Sequence, residues 1–183
     1  VVRAQTPADD PDETFATGNL PESPQSFADR PKTPAYRAFL PPQVDLARFF
    51  PPPGDQGKQG SCVGWAVGYA ARAYYALFLE RRPAGQAAHI PSPAYVYNAI
   101  KDPAQSCNSG SNIGKALDLL KSGAVSMARM PYDPGQCAPP SPQIRAAATD
   151  FRIDDWTAVE PTRLDQVKAE LAQRNPVVIG MSM

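Results

Sequence analysis

The stretch that most constrains this chain is "GDQGKQGSCVGWAVGYAARAYY", residues 54–75. A glycine-rich loop runs into Cys62, and from Trp65 to Leu79 the residues are almost wholly apolar. A membrane-spanning helix needs about 20 such residues. This run is shorter, carries Arg72 and ends in "ERRPAG", so it predicts one buried core helix over about 61–82, with Ser61 as its N-cap. The rest of the chain must pack around that helix. Cys62 would sit at the helix N-terminus, where the macrodipole favours an anion and glycine neighbours leave the backbone open to a substrate. The other reading is a chemically quiet cysteine at a helix start.

Composition narrows the partners. Eighteen basic and eighteen acidic side chains give zero net charge, which argues against nucleic acid and against an anionic membrane surface. With 43% hydrophobic residues the chain can bury a core, while its 22 prolines impose many loops. Cys62, Cys107 and Cys137 allow one disulfide with one free thiol, or three reduced thiols. The first fits an oxidising compartment, secreted or periplasmic. The opening "VVRAQTPADD" is no full signal peptide. No metal-ligand spacing and no phosphate-binding loop occurs, so no cofactor or metal is expected.

Residues 1–42 are proline-rich and polar up to "YRAFLPP", too poor in apolar groups to offset their ordering entropy alone. They read as a linker, a floppy tail, or an N-terminal extension or pro-segment lying over the cleft, with Tyr36, Phe39 and Leu40 able to dock on the body. Residues 43–183 form the main domain. Ser92 and Pro93 cap and start a helix in "SPAYVYNAIK". "SNIGKALDLLKSG" is another, with Ile113, Ala116, Leu117 and Leu120 on one face and Gly123 in the left-handed conformation that ends it. "SPQIRAAATDF" reads as a short helix, and "PTRLDQVKAELAQRN" as an amphipathic one with Leu164, Val167 and Leu171 on one side. "PVVIGMSM" reads as a buried strand. Helices first and strand signals late predict an α+β class.

"QGKQGSC" places Gln56 six residues before Cys62 in a Gly-Ser-Cys context. In that arrangement the chain resembles the papain-like cysteine peptidases, in the manner of divergent bacterial members. Four further segments support the resemblance, in family order: "VDLARFF", "SPAYVYNAIK", "CNSGSNIGKALDLLKSGAV" and "MPYDPGQC", and "NPVVIGMSM" follows them. The resemblance covers roughly residues 43–183. It implies a two-lobe fold, with a mainly helical lobe over 43–145 and the start of a β-rich lobe over 146–183. It makes Cys62 the nucleophile, Gln56 the side-chain donor of the oxyanion hole, and Ser109 and Gly110 the edge that binds substrate backbone. Two disulfides tie the helical lobe in the family; here one partner of each is absent, which leaves Cys107 and Cys137 to pair. Gln59 stands where the family has a cysteine, and Val63 where it has an aromatic residue. The bland readings are a polar loop residue for Gln56 and a turn glycine for Gly110.

The family also uses a histidine and an asparagine that lie beyond the strand where this sequence stops. Its single histidine, His89, falls in a connector that family order keeps away from the nucleophile. A helix terminus stabilises an adjacent anion by about 0.3 to 2 kcal/mol, which does not replace an imidazolium partner, and no acid would remain for the leaving amine. The expected function is a cysteine endopeptidase whose histidine is outside this sequence, so that the 183 residues alone cut poorly. A truncated sequence accounts for this best, since ending on an apolar strand would leave an open sheet edge. A second chain carrying the histidine, or a papain-like scaffold that binds peptides or a protein partner without cutting, are the alternatives.

Overall fold

The computed structural model describes residues 18–34, 39–160 and 162–181. The apolar run forms a helix over 62–78, wound as a π-helix from Gly64–Arg72 and as an α-helix, α2, from Ala73–Phe78. It ends four residues short of the sequence expectation. Leu79 and Glu80 both turn their N–H groups onto the Tyr75 carbonyl, and Arg81 takes a left-handed φ of 54° that ends the helical path. Further along, α3 spans Pro93–Ile100, α4 Ile113–Ser122, α5 Pro142–Ala146 and α6 Leu164–Ala172; a short α1, Pro24–Ala28, precedes them all.

Local chemistry explains most of these boundaries. Ser92 accepts the Tyr95 N–H at 3.0 Å with Pro93 in the first turn, and Asn112 accepts the Lys115 N–H at 3.1 Å. Ser141 caps α5 in the same way through the Ile144 N–H. Gly123 ends α4 as expected but differs in conformation: its φ is 112° and its ψ −178°, and a Cβ there would lie 2.6 Å from the Ala148 carbonyl oxygen.

The core lies where the central helix, α3 and α4 meet. Val63, Val67, Tyr95, Val96, Ala116, Leu120, Val125 and Phe151 are buried together, and Cys62 packs partly against them. The face expected for α4 is the buried one. Close approach of the central helix to α3 depends on two glycines. A Cβ on Gly64 would sit 2.5 Å from the Pro93 carbonyl oxygen, and one on Gly68 would sit 2.9 Å from Val96 Cγ2. At the far end of the helix, Tyr74 is fully buried in an aromatic cluster with Phe49, Phe50, Tyr75 and Phe78. Arg72 is buried there too, paired with Glu80 and donating from Nε to the Phe151 carbonyl at 3.0 Å.

Three expectations are corrected. The α+β class does not hold: among the described residues the structure is helical, with no β-strand and only isolated bridges such as Pro91–Ser126 and Ala124–Asp150. Residues 176–181 have no regular secondary structure, nothing described forms a ladder with them, and a strand exists only by pairing. Ile179 and Met181 are exposed rather than buried. Secondly, α6 buries Ala169, while Leu164 is 62% exposed. That helix is held instead where the Tyr74 hydroxyl donates to the Arg174 carbonyl at 2.8 Å. Thirdly, Phe39 is 89% exposed and does not dock, Leu40 is half-buried, and Tyr36 lies outside the described residues.

Gly64→Ala should destabilise the chain by about 1 to 3 kcal/mol, the usual cost of overpacking a tight core contact. Urea unfolding followed by circular dichroism measures it; an unchanged midpoint would mean the helix can shift. At the opposite end Arg82 grips Asp150 with two bonds of 2.8 and 2.6 Å, which holds the Asp150 carboxyl below its usual range. The resulting stability is complete above the unfolded pKa of about 4 and is lost as pH falls through the lower folded value. Asp150→Asn should therefore flatten the acid limb of a stability–pH curve below about pH 4 and leave its neutral-side slope unchanged.

Candidate active site

Cys62 opens the central helix, half-buried, and is the free thiol; Cys107 and Cys137 form a disulfide with Cα atoms 5.4 Å apart. The pairing is the expected one. It ties loop 105–112, which faces loop 56–61 leading to Cys62, to the segment around Cys137.

The two loops are joined through backbone. The Gly60 N–H donates to the Cys107 carbonyl at 2.9 Å, and a Cβ on Gly60 would lie 2.6 Å from the Asn108 and Ser109 carbonyl oxygens. No side chain fits between them. The Tyr97 hydroxyl holds the same loop from beneath, within 2.7 Å of the Cys107 carbonyl and 2.6 Å of the Ser109 carbonyl. Burial, with smaller contributions from Tyr132 and Cys62, pushes the Tyr97 hydroxyl up to about 12, so it remains a donor at neutral pH.

Ser61 is fully buried, and its hydroxyl lies 2.6 Å from that of Tyr132. It is therefore not the side-chain cap expected from the sequence, although its carbonyl accepts the Trp65 N–H at 3.1 Å. The Gln56 side-chain amide donates to the Gln59 carbonyl at 3.2 Å, within the loop that leads to Cys62. Gln59, which stands where the resemblance calls for a cysteine, is buried and donates its amide to the Pro134 and Gln136 carbonyls, both at 3.2 Å. The Gln59 amide thus ties loop 56–61 to segment 134–136.

The chain's own segment 18–20 lies along loop 105–112. Ser111 donates its N–H to the Gly18 carbonyl at 2.7 Å and accepts the Leu20 N–H at 2.9 Å, a parallel bridge centred on Asn19. Gly18 packs so close to Gly60 that a Cβ would collide with the Gly60 carbonyl, and a Cβ on Gly110 would lie 2.8 Å from the Gly18 carbonyl oxygen. On its other side Asn19 abuts Gly180 of the C-terminal segment. Ser111 was singled out by no sequence motif. Its neighbour Ser109 turns its carbonyl inward to Tyr97, which leaves Ser111 to present both backbone groups to segment 18–20.

Segment 18–34 is clamped elsewhere as well. Arg30 pairs with Glu22 at 2.7 Å and with Asp118 at 3.2 Å, and stacks over Trp156, whose indole N–H also donates to Asp118. Thr33 donates its N–H to the Ala158 carbonyl at 3.1 Å. His89 bonds the Pro83 carbonyl, in a short turn over Ala87–His89 that contacts α2, the part of the central helix remote from Cys62. Among the described residues no cluster of three or more His, Cys, Asp or Glu could hold a metal ion, and no helix is long and apolar enough to cross a membrane.

This arrangement is a cysteine-protease fold. The structure superposes on xylellain, a cysteine protease from Xylella fastidiosa, with a TM-score of 0.69 and 24% sequence identity, covering 87% of this chain and 63% of xylellain. No protein-family model matches the sequence, and no curated protein matches it.

Titration of the unfolded, non-reduced protein with Ellman's reagent should find one thiol, and three after reduction. Peptide mapping should place the first label on Cys62. Replacing Cys107 and Cys137 together by serine should cost about 3 to 4 kcal/mol of stability in the loop-entropy account.

Proposed function

We propose that the protein is a cysteine endopeptidase acting on peptide bonds through a Cys62 thiolate. The observation that carries this reading is the juxtaposition, in a cysteine-protease fold, of a free thiol at a helix start with a backbone edge at Ser111 that already pairs with the chain's own segment 18–20. Cys62 attacks the substrate carbonyl, and the C–N bond breaks to give an acyl-enzyme that water hydrolyses. Gln56 and the Cys62 N–H hold the oxyanion, and the edge from Ser109 to Ser111 binds substrate backbone. The acid for the leaving amine is an imidazole that this sequence does not supply near Cys62, since His89 stands at the other end of the central helix. The chain spans 63% of xylellain's length, and a histidine-bearing second lobe is the part the mechanism requires.

Residues 1 to about 42 act as a regulatory segment over the cleft. Supporting this, Gly18 to Leu20 occupy the Ser111 edge, beside the loop leading to Cys62. A disulfide in the helical lobe fits a secreted or periplasmic location.

In a histidine-complete form of the enzyme, Cys62→Ala should abolish cleavage of a fluorogenic peptide while keeping peptide binding. Gln56→Ala should lower kcat by roughly two to three orders of magnitude with KM nearly unchanged. Deleting residues 1–34 should raise both cleavage and Cys62 labelling. A histidine-complete enzyme that still does not cut after this deletion would instead be a peptide-binding scaffold.

A further inference from the structure

We propose that Tyr132 is a positioning residue of the oxyanion arm, its hydroxyl linking Gln56 to Ser61 and so fixing loop 56–61 against the Cys62 thiol. The inference rests on the peptidase reading above and adds to it a residue outside the nucleophile loop.

The hydroxyl of Tyr132 lies 2.8 Å from the Gln56 carbonyl and 2.6 Å from Ser61 Oγ. Proton counting fixes the directions. A carbonyl can only accept, so Tyr132 spends its single proton on Gln56, and Ser61 must then donate to Tyr132. Ser61 Oγ, the hydroxyl immediately before the nucleophile, is thereby committed as a donor and points away from the helix N-terminus it adjoins. The chain Ser61 → Tyr132 → Gln56 closes the loop across its own mouth, from the residue that carries the oxyanion amide to the residue before the thiol.

The ring is itself held. It packs edge-on against Trp65 with centroids 4.8 Å apart, and Trp65 sits one turn into the central helix. Two residues beyond Tyr132, the Pro134 carbonyl accepts from the buried Gln59 amide, as does that of Gln136. Segment 132–136 therefore grips the nucleophile loop at Gln56, Gln59 and Ser61. None of these contacts touches a reacting atom. Their effect is on where the Gln56 amide and the Cys62 N–H stand relative to sulfur, and an oxyanion hole is sensitive to displacements well under 1 Å.

The test compares two reactions of one thiol in the 183-residue chain. Acylation by 4-nitrophenyl acetate passes through a tetrahedral oxyanion: sulfur adds to the carbonyl, and the C–O bond breaks to release 4-nitrophenolate. Alkylation by iodoacetamide is a displacement of iodide at carbon and forms no oxyanion. Tyr132→Phe keeps the ring and removes the hydroxyl. It should slow acylation of Cys62 by about 10-fold or more, with alkylation within about twofold in a chain that still unfolds cooperatively, at a somewhat lower midpoint because the buried Ser61 hydroxyl loses its acceptor. Ser61→Ala, which cuts the other link and leaves the ring untouched, should show the same selective loss if Tyr132→Phe does not fold.

Equal rates of acylation in parent and variants, or a parallel loss of acylation and alkylation, would overturn the positioning role alone. A parent chain whose Cys62 is acylated no faster than free cysteine at the same thiolate concentration would also overturn the positioning role, since there would be no working oxyanion arm to position, whereas the peptidase reading stands or falls on cleavage by the histidine-complete form.

Discussion

The site depends on one backbone junction. The Gly60 N–H meets the Cys107 carbonyl with no space for a side chain between the loops. Everything the thiol is expected to use is attached to one side or the other of that bond. On one side are Gln56, Ser61 and Cys62. On the other are the disulfide, Ser109 and Ser111. A single hydrogen bond is worth only about 1 kcal/mol net, so the junction is secured by what surrounds it. Tyr97 holds two carbonyls of the far loop, Cys137 anchors it covalently, and Gln59 and Tyr132 tie the near loop to segment 132–136. The site is built as a pair of loops locked face to face, with the central helix beginning at the lock.

The same junction explains how the N-terminal segment binds. Gly18 can lie against Gly60 because neither residue has a side chain, and that proximity brings Asn19 into register with Ser111. The ionic cluster of Glu22, Arg30, Asp118 and Trp156 then holds the segment from a distance. Partly exposed ion pairs of this kind contribute little each.

Much of this was legible in the sequence, and the failures have physical causes. A cap placed α3, because Ser92 acts through a local hydrogen bond, and periodicity placed α4, because Ala116 and Leu120 recur at the helical period. The spacing of Gln56 and Cys62 in one loop, and the choice of Cys107 and Cys137 as the pair, came from the family resemblance rather than from any local rule. Long-range contacts were not legible. Ser61 was expected to cap the helix, yet its hydroxyl goes to Tyr132, 71 residues away. In α6 Leu164 satisfies the apolar pattern, but Ala169 is what fits against the body. The strand expected at 176–183 has the right composition but, among the described residues, no partner, and hydrophobicity alone does not make a ladder. Ser111 carries no special side-chain signal, since its role belongs to its backbone.

The central claim is that the Ser111 edge and the Cys62 thiol form one peptide cleft. Amide hydrogen exchange on the chain lacking residues 1–34 tests it most directly, before and after Cys62 is tethered to a peptidyl vinyl sulfone. The account predicts that the Ser111 amide exchanges freely once the segment is removed and becomes protected again when the tethered peptide takes its place. A peptide attached at Cys62 that leaves Ser111 exchanging as fast as before would contradict it.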